Sequence, residues 1–175
     1  MMRNLVNCLL PALALLATAI VLSEQTRPQE RSKSEAAFRQ LASLVGDWEG
    51  AQDGVAKPIK ETYSLVADGS ALMLQTTPSE EPVMITMFSV DGDRVIATHY
   101  CSARNQPEMI SSGPGDLNKG LSFSLTRVTG MKTPDDWHNT GLTIKLDDKD
   151  HITQWWSYLY KGKTGVSVFH YTRKQ

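Results

Sequence analysis

Cysteine is scarce in this chain: Cys8 and Cys101 are the only two among 175 residues. Cys8 falls in an N-terminal apolar run that is expected to be removed, so Cys101 is left alone and an internal disulfide is excluded. The fold must therefore be held by its core, which a mature domain of roughly 140 residues can manage by burying about two thirds of its unfolded surface. Excess charge of one sign is also missing. Lysine and arginine number 18 against 19 aspartates and glutamates, for a formal net charge of −1. Loss of Arg3 takes this to −2, so there is no basic field to hold phosphates and nucleic-acid binding is excluded as a leading reading. Long helical stretches between apolar runs are lacking too. Parallel strands need such crossovers, so an α/β sheet is disfavoured.

What the chain does have begins with a secretory pattern. Arg3 is followed by an almost uncharged apolar run from Leu5 to Leu22, with Ala17-Thr18-Ala19 as a small-residue cleavage site and a second acceptable cut after Ser23. The run reaches the lower length limit of roughly 17 to 25 residues for a membrane span. Pro11 and the lack of a basic stop favour cleavage over retention. Cys8 lies too early in the run to be a lipoprotein cysteine. The expected layout is a signal peptide over residues 1–23, a polar tether over 24–33 that carries Pro28, and one domain over 34–175. The protein is expected to be exported, to the periplasm or beyond the cell, with no stable membrane span after cleavage.

The domain opens with one short helix. Ser32 and Glu35 match a capping box, and Phe38, Leu41, Ala42 and Val45 recur at helical spacing until Gly46. The narrow stripe suits a plug over the end of a barrel. After Gly46 the period becomes two, with turn residues every eight to twelve positions, the pattern of an all-β sandwich or barrel. Ten strands are expected, near 46–52, 58–67, 71–77, 82–90, 93–102, 106–112, 120–128, 139–147, 151–160 and 164–174. Asp68-Gly69, Asp91-Gly92 and Lys161-Gly162 separate adjacent runs and favour tight antiparallel reversals. The fold class is thus all-β, a single antiparallel up-and-down β-barrel. The longest break, Thr129 to Asn139, carries Pro134, Asp135 and Asp136 and is placed over a barrel mouth.

Alternation assigns faces. Leu121, Phe123 and Leu125 point inward, as do Leu142, Ile144 and Leu146. On the fifth strand Val95, Ala97, His99 and Cys101 are preferred inside. On the last, Phe169, Tyr171 and Arg173 share one face and Val168, His170 and Thr172 the other.

Gly46-Asp47-Trp48 after a short helix, with Arg173 on the last strand, resembles the signature of the calycin superfamily, which includes lipocalins, fatty-acid-binding proteins and nitrobindin-like barrels. The resemblance implies that Trp48 closes one end of the barrel and that Arg173 lies across its ring, as cation–π attraction and stacking allow. Asp91-Gly92-Asp93, Thr98-His99-Tyr100-Cys101, Asn105-Gln106-Pro107 and Thr172-Arg173-Lys174 are similar to a group of exported bacterial lipocalin-like proteins that brings no assigned activity. Nitrobindin-like barrels hold haem through a late-strand histidine, which would point to His170. If Phe169 and Tyr171 line the interior, however, His170 faces solvent.

A barrel of this size is either filled by side chains or just wide enough for one small ligand. The binding reading gives a pocket for a small hydrophobic or amphipathic molecule lined by Met73, Phe123, Leu142, Ile144 and Trp156, with His99, Cys101, Asn105, Met109 and His138 as its more polar or adaptable positions. Each large apolar residue alone is explained as simply by core packing. His99 and Cys101 on one face also admit a metal pair, or an activated thiol with His138 nearby, but no third ligand or orienting group is fixed by spacing. The simplest reading is a hydrogen-bonded histidine beside a small buried thiol. The carboxylates at Asp147, Asp148 and Asp150 suit a solvated turn. No catalytic residue, metal or cofactor is assigned; the expected partner is a small molecule, and the expected state a monomer or weak dimer.

Overall fold

The structure is a computed structural model that describes residues 33–113 and 115–175. The expected signal segment, nearly all of the expected tether, Ser32 of the expected capping box and Pro114 lie outside the described residues.

A helix, α1, spans residues 33–42. Ten strands follow: β1 (Gly46–Gln52), β2 (Ile59–Val66), β3 (Ala71–Pro78), β4 (Met84–Asp91), β5 (Arg94–Tyr100), β6 (Gln106–Ser111), β7 (Leu121–Thr129), β8 (His138–Asp148), β9 (His151–Tyr160) and β10 (Lys163–Arg173). Each pairs antiparallel with its sequence neighbours and β1 pairs with β10, closing the barrel. Closure leaves no edge strand to template aggregation. The β9–β10 reversal shows how local chemistry sets register. Lys161 (φ 48°) and Gly162 (φ 72°) both adopt positive φ, the geometry of a two-residue turn whose twist matches its strands. Among the described residues no helix is long and apolar enough to cross a membrane.

Interior positions follow the alternating residues almost throughout. Leu72 and Leu74 of β3, Phe88 of β4, Val95 and Ala97 of β5, Met109 of β6, Leu121 and Phe123 of β7, and Leu142 and Ile144 of β8 are buried together. Met73 is a correction. Leu72 and Leu74 are wholly buried and take the interior face of β3, and period-two geometry then puts Met73 on the outer face.

One end is sealed. Ala37, Phe38, Leu41 and Leu44 are buried against the core, so the helix packs as a plug, though with a different stripe from the expected one. Val45 is 43% exposed. The helix stops at residue 42, and tighter bonds from Leu44 N to Leu41 O (3.0 Å) and Val45 N to Ala42 O (3.2 Å) turn Leu44 inward instead. Ser34 Oγ donates to Gly92 O at 2.9 Å, and Leu117 N donates to Gln40 Oε1 at 2.7 Å, tying α1 to two loops of this end.

Trp48, 1% exposed, completes the seal. Its Nε1 donates to Leu44 O at 2.8 Å, and the Arg173 guanidinium lies 4.2 Å from its ring centre. Trp48 and Arg173 are also direct cross-strand partners. Arg173 donates further to Val45 O (2.9 Å) and Ser43 O (3.0 Å), satisfying carbonyls just past the helix end.

Candidate functional site

The opposite end is open. A cavity of about 190 Å³ enters the barrel there, lined by residues including Ile59, Glu61, Met84, His99, Cys101, Trp137, Trp156, Phe169 and Tyr171. Among the expected site residues, His99, Cys101 and Trp156 line it. Met109, Phe123, Leu142 and Ile144 are interior but packed solid at 2% exposure or less; they belong to the core rather than to the cavity wall. The filled and open readings therefore each hold for one part of the same barrel.

Two expected positions have other places. Asn105 is buried outside the lining, and its Nδ2 donates to Trp137 O at 2.6 Å. It thereby holds the 129–139 loop so that the Trp137 indole reaches the mouth, where the ring stacks on Tyr158 at 5.7 Å. Asn105 Oδ1 is buried without a hydrogen-bond partner among the described residues. His138 does not line the cavity. It pairs across the sheet with Leu159, and its Nδ1 meets Asp136 O at 2.9 Å. The register shift between Asn139 and Gly141 brings Asn139 to the lining and leaves its neighbour His138 on the other side of the strand.

The floor of the cavity is polar, and alternation shows why. Ile59, Glu61 and Tyr63 share one face of β2, so a carboxylate is carried into the interior with two large apolar neighbours. Glu61 is 2% exposed. Gln154 Nε2 donates to Glu61 Oε2 (2.7 Å) and to the Tyr63 hydroxyl (2.9 Å), while Trp156 Nε1 donates to Gln154 Oε1 (2.8 Å). Thr76 Oγ1 donates to Glu61 Oε1 at 3.2 Å. Burial pushes the Glu61 carboxyl up to about 7, with the hydroxyl of Tyr171 and the donors Gln154, Thr76 and Tyr63 pulling the other way. Desolvation wins because every surrounding donor is neutral. The same burial, reinforced by Glu61, pushes the Tyr63 and Tyr171 phenols well above the ordinary tyrosine value.

Tyr171 reaches this floor because Gly50 stands opposite it. A Cβ on Gly50 would lie 2.0 Å from His170 O and 2.7 Å from Tyr171 Cδ1, so only glycine lets the phenol lie across β1.

His99 faces the cavity from β5. Its cross-strand partner is Thr86, and Nδ1 meets Thr86 Oγ1 at 2.8 Å. The ring packs on Trp156, 4.8 Å between centres. Burial pulls the imidazole down to about 4, so it is neutral at physiological pH. Cys101 lies at the mouth. Burial raises its thiol above the ordinary value, and its sulfur accepts from Ala103 N at 3.5 Å. Among the described residues no hydrogen bond joins His99 to Cys101, and no three His, Cys, Asp or Glu side chains are grouped to hold a metal ion. His170 is on the outer face, with Nε2 3.2 Å from Asp53 and Nδ1 3.1 Å from Thr153 Oγ1.

Glu61, Gln154, Thr76 and Trp137 escaped the sequence reading. The signal for Glu61 was present, as a lone charge on the apolar parity of Ile59 and Tyr63. Trp137 depends on a loop conformation that no periodicity encodes.

No protein-family model matches the chain, and no curated protein does. Among solved structures, the chain is similar to a protein of unknown function from the DUF3598 family of Nostoc punctiforme PCC 73102, with 14% identity and a TM-score of 0.43, over 76% of this chain and 48% of that one. The chain thus spans about half the length of that protein. It is also similar to Rv2717c from M. tuberculosis, with 14% identity and a TM-score of 0.51, over 79% of this chain and 97% of that one. At this identity the second likeness speaks for the fold alone.

Proposed function

We propose that this chain is an exported, calycin-type barrel that binds one small amphipathic molecule without transforming it. The observation that carries the reading is the cavity of about 190 Å³ at one end of a barrel that is otherwise packed solid. Ligand sites are concave, mostly apolar and furnished with a few convergent polar groups. Here the apolar wall comes from Ile59, Met84, Trp137, Trp156 and Phe169, and the polar groups are Glu61, His99 and Tyr171. An apolar cavity of roughly 150 Å³ admits benzene, so the ligand is of the size of one ring with a short polar substituent. Binding without catalysis is supported by the roles of the reactive groups: His99 is engaged by Thr86 and kept neutral, and the Cys101 thiol is held above its ordinary value, which disfavours the nucleophilic thiolate. Export is supported by Arg3, the apolar run from Leu5 to Leu22 and the Ala17-Thr18-Ala19 site.

Mass spectrometry of denatured material purified from its native host is expected to release a small organic molecule in stoichiometric amount. Titration of emptied protein with single-ring amphiphiles is expected to change tryptophan fluorescence, because Trp137 and Trp156 line the cavity. Protein that is empty as isolated and shows no fluorescence response across such a panel refutes the reading. N-terminal sequencing of the mature protein tests export: a start at residue 20 or 24 is expected, and an intact Met1 overturns it.

A further inference from the structure

Resting on the binding reading above, we infer that the cavity selects a cationic ligand, a small aromatic or aliphatic amine whose ammonium group sits against Glu61 and the aromatic wall. The argument starts from an imbalance. Glu61 is a buried carboxylate that lines the cavity, yet among the described residues the lining holds no lysine or arginine. Its four neighbours with donors, Gln154, Thr76, Tyr63 and Tyr171, are all uncharged. Buried carboxylates are ordinarily matched by a cation or give up their charge.

The other ionisable groups around the cavity do not supply that cation. Among the described residues His99 on β5 is the one basic side chain in the lining, and its burial keeps it neutral above about pH 4. Tyr63 on β2 and Tyr171 on β10 are held as neutral phenols. Glu81 and Cys101, both at the mouth, add acidic rather than basic groups. Among the described residues none supplies a positive charge to this cavity, so a charge matched to Glu61 would arrive with the ligand.

The walls are suited to receive one. Trp156 lies beside His99 with its indole against the cavity, and Phe169 stacks on Tyr171 with ring centres 6.3 Å apart. Trp137 adds a second indole at the mouth. Ring faces attract a desolvated cation through their quadrupole. An ammonium group has three N–H donors and no acceptor, so the carboxylate of Glu61 and the aromatic faces satisfy it while a carboxylate ligand meets the repulsion of Glu61. The volume of about 190 Å³ sets the size at a single ring with a short chain.

The test is calorimetric titration of the full-length mature protein at pH 8 with benzylammonium, benzyl alcohol and benzoate, three probes of one shape and different charge. Benzylammonium is expected to bind at least tenfold tighter than benzyl alcohol, with benzoate not bound. Lowering the pH to 5.5 protonates Glu61 and is expected to erase most of that preference in the wild-type protein. Glu61→Gln is expected to erase it at pH 8; the pH series decides the matter if that variant does not fold. Benzyl alcohol bound as tightly as the amine at pH 8, or a preference unchanged at pH 5.5, overturns the inference while the binding reading stands. Failure of all three probes overturns the inference, and the binding reading falls with it where the protein is also empty as isolated.

Discussion

The two ends of this barrel solve opposite problems with the same alternating strands. At the closed end, Trp48 uses its single N–H on Leu44 O and its ring on Arg173, while α1 fills the opening with Phe38, Leu41 and Leu44. The Trp48 indole and the Arg173 guanidinium there are spent on the chain itself. At the open end, β2 and β5 send Glu61 and His99 inward at positions that continue the parity of Tyr63 and Ala97, and the side chains stop short of filling the space. Apolar packing fills the first end, whereas the second keeps polar groups in an environment that strains their charge states. The difference shows that one fold can hold a packed core and a poised cavity in series, with neither compromising the other.

Substitutions at the two ends break that comparison most directly. Trp48→Ala removes a fully buried indole together with its support for Arg173 and α1, and is expected to cost about 3–5 kcal/mol. Phe169→Ala at the partly buried cavity wall is expected to cost about 1 kcal/mol, because its space opens onto the existing cavity instead of creating a new one. Denaturant unfolding of both variants measures the gap. Equal losses would mean that the open end is as load-carrying as the sealed one.

The pH dependence of stability sharpens the picture of the open end. Glu61 is raised from its ordinary 4.5 to about 7, so the stability linked to it is present below pH 4.5 and lost as pH rises through about 7. His99 is lowered from 6.5 to about 4, so its contribution is present above pH 6.5 and lost as pH falls through about 4. Between about pH 4.5 and 6.5 the folded protein carries a proton on Glu61 and none on His99, and the unfolded chain the reverse. The proton counts match, so these two groups leave stability nearly flat in that window. Single substitutions unmask each slope: His99→Gln is expected to leave stability falling as pH rises from 4.5 to 7, and Glu61→Gln to leave it rising from 4 to 6.5. Each slope amounts to a change on the order of 3 kcal/mol, from about 1.4 kcal/mol per pKa unit. Urea unfolding across this range checks the result, and two parallel flat profiles would contradict it.

Gly50→Ala probes how the floor is held. The new methyl collides with backbone at His170 as well as with the Tyr171 ring, and overpacking of this kind costs about 1–3 kcal/mol. Because Tyr171 must move, the Trp156 and Trp137 fluorescence that reports the cavity is expected to shift as well. Loss of stability with an unchanged cavity signal would separate the phenol from the Glu61 network.

Most of the fold was legible because closure depends on parity, and parity is written in the sequence. Leu121, Phe123, Leu142 and Ile144 alternate cleanly, and Trp48 and Arg173 meet as the Gly46-Asp47-Trp48 pattern implies. Met73 misled because two leucines flank it: on a strand where all three are apolar, composition does not say which parity is inside. His138 was displaced by a bulge, which shifts parity without leaving a mark in hydrophobicity. The candidate site was less legible, for a physical reason. Glu61 reads as an exposed charge until the neighbours on its own parity are weighed, and Gln154 and Thr76 acquire meaning only through it.

The smallest expected effect falls on Cys101. Its side chain is partly buried at the mouth, where Ala103 N and Ser102 hydrogen-bond its sulfur. Cys101→Ser is therefore expected to alter stability by less than about 1 kcal/mol and ligand affinity by less than about twofold. The native thiol offers a finer measurement, because it marks the open end and, among the described residues, the sealed end has no counterpart. Burial raises its pKa, so alkylation by iodoacetamide is expected to be slower at pH 8 than for a free cysteine, the thiolate being the reactive form. A molecule held between Glu61 and the indoles would slow it further by covering the sulfur. Alkylation at the rate of free cysteine, unaffected by a bound amphiphile, would place the occupied volume somewhere other than beneath this mouth.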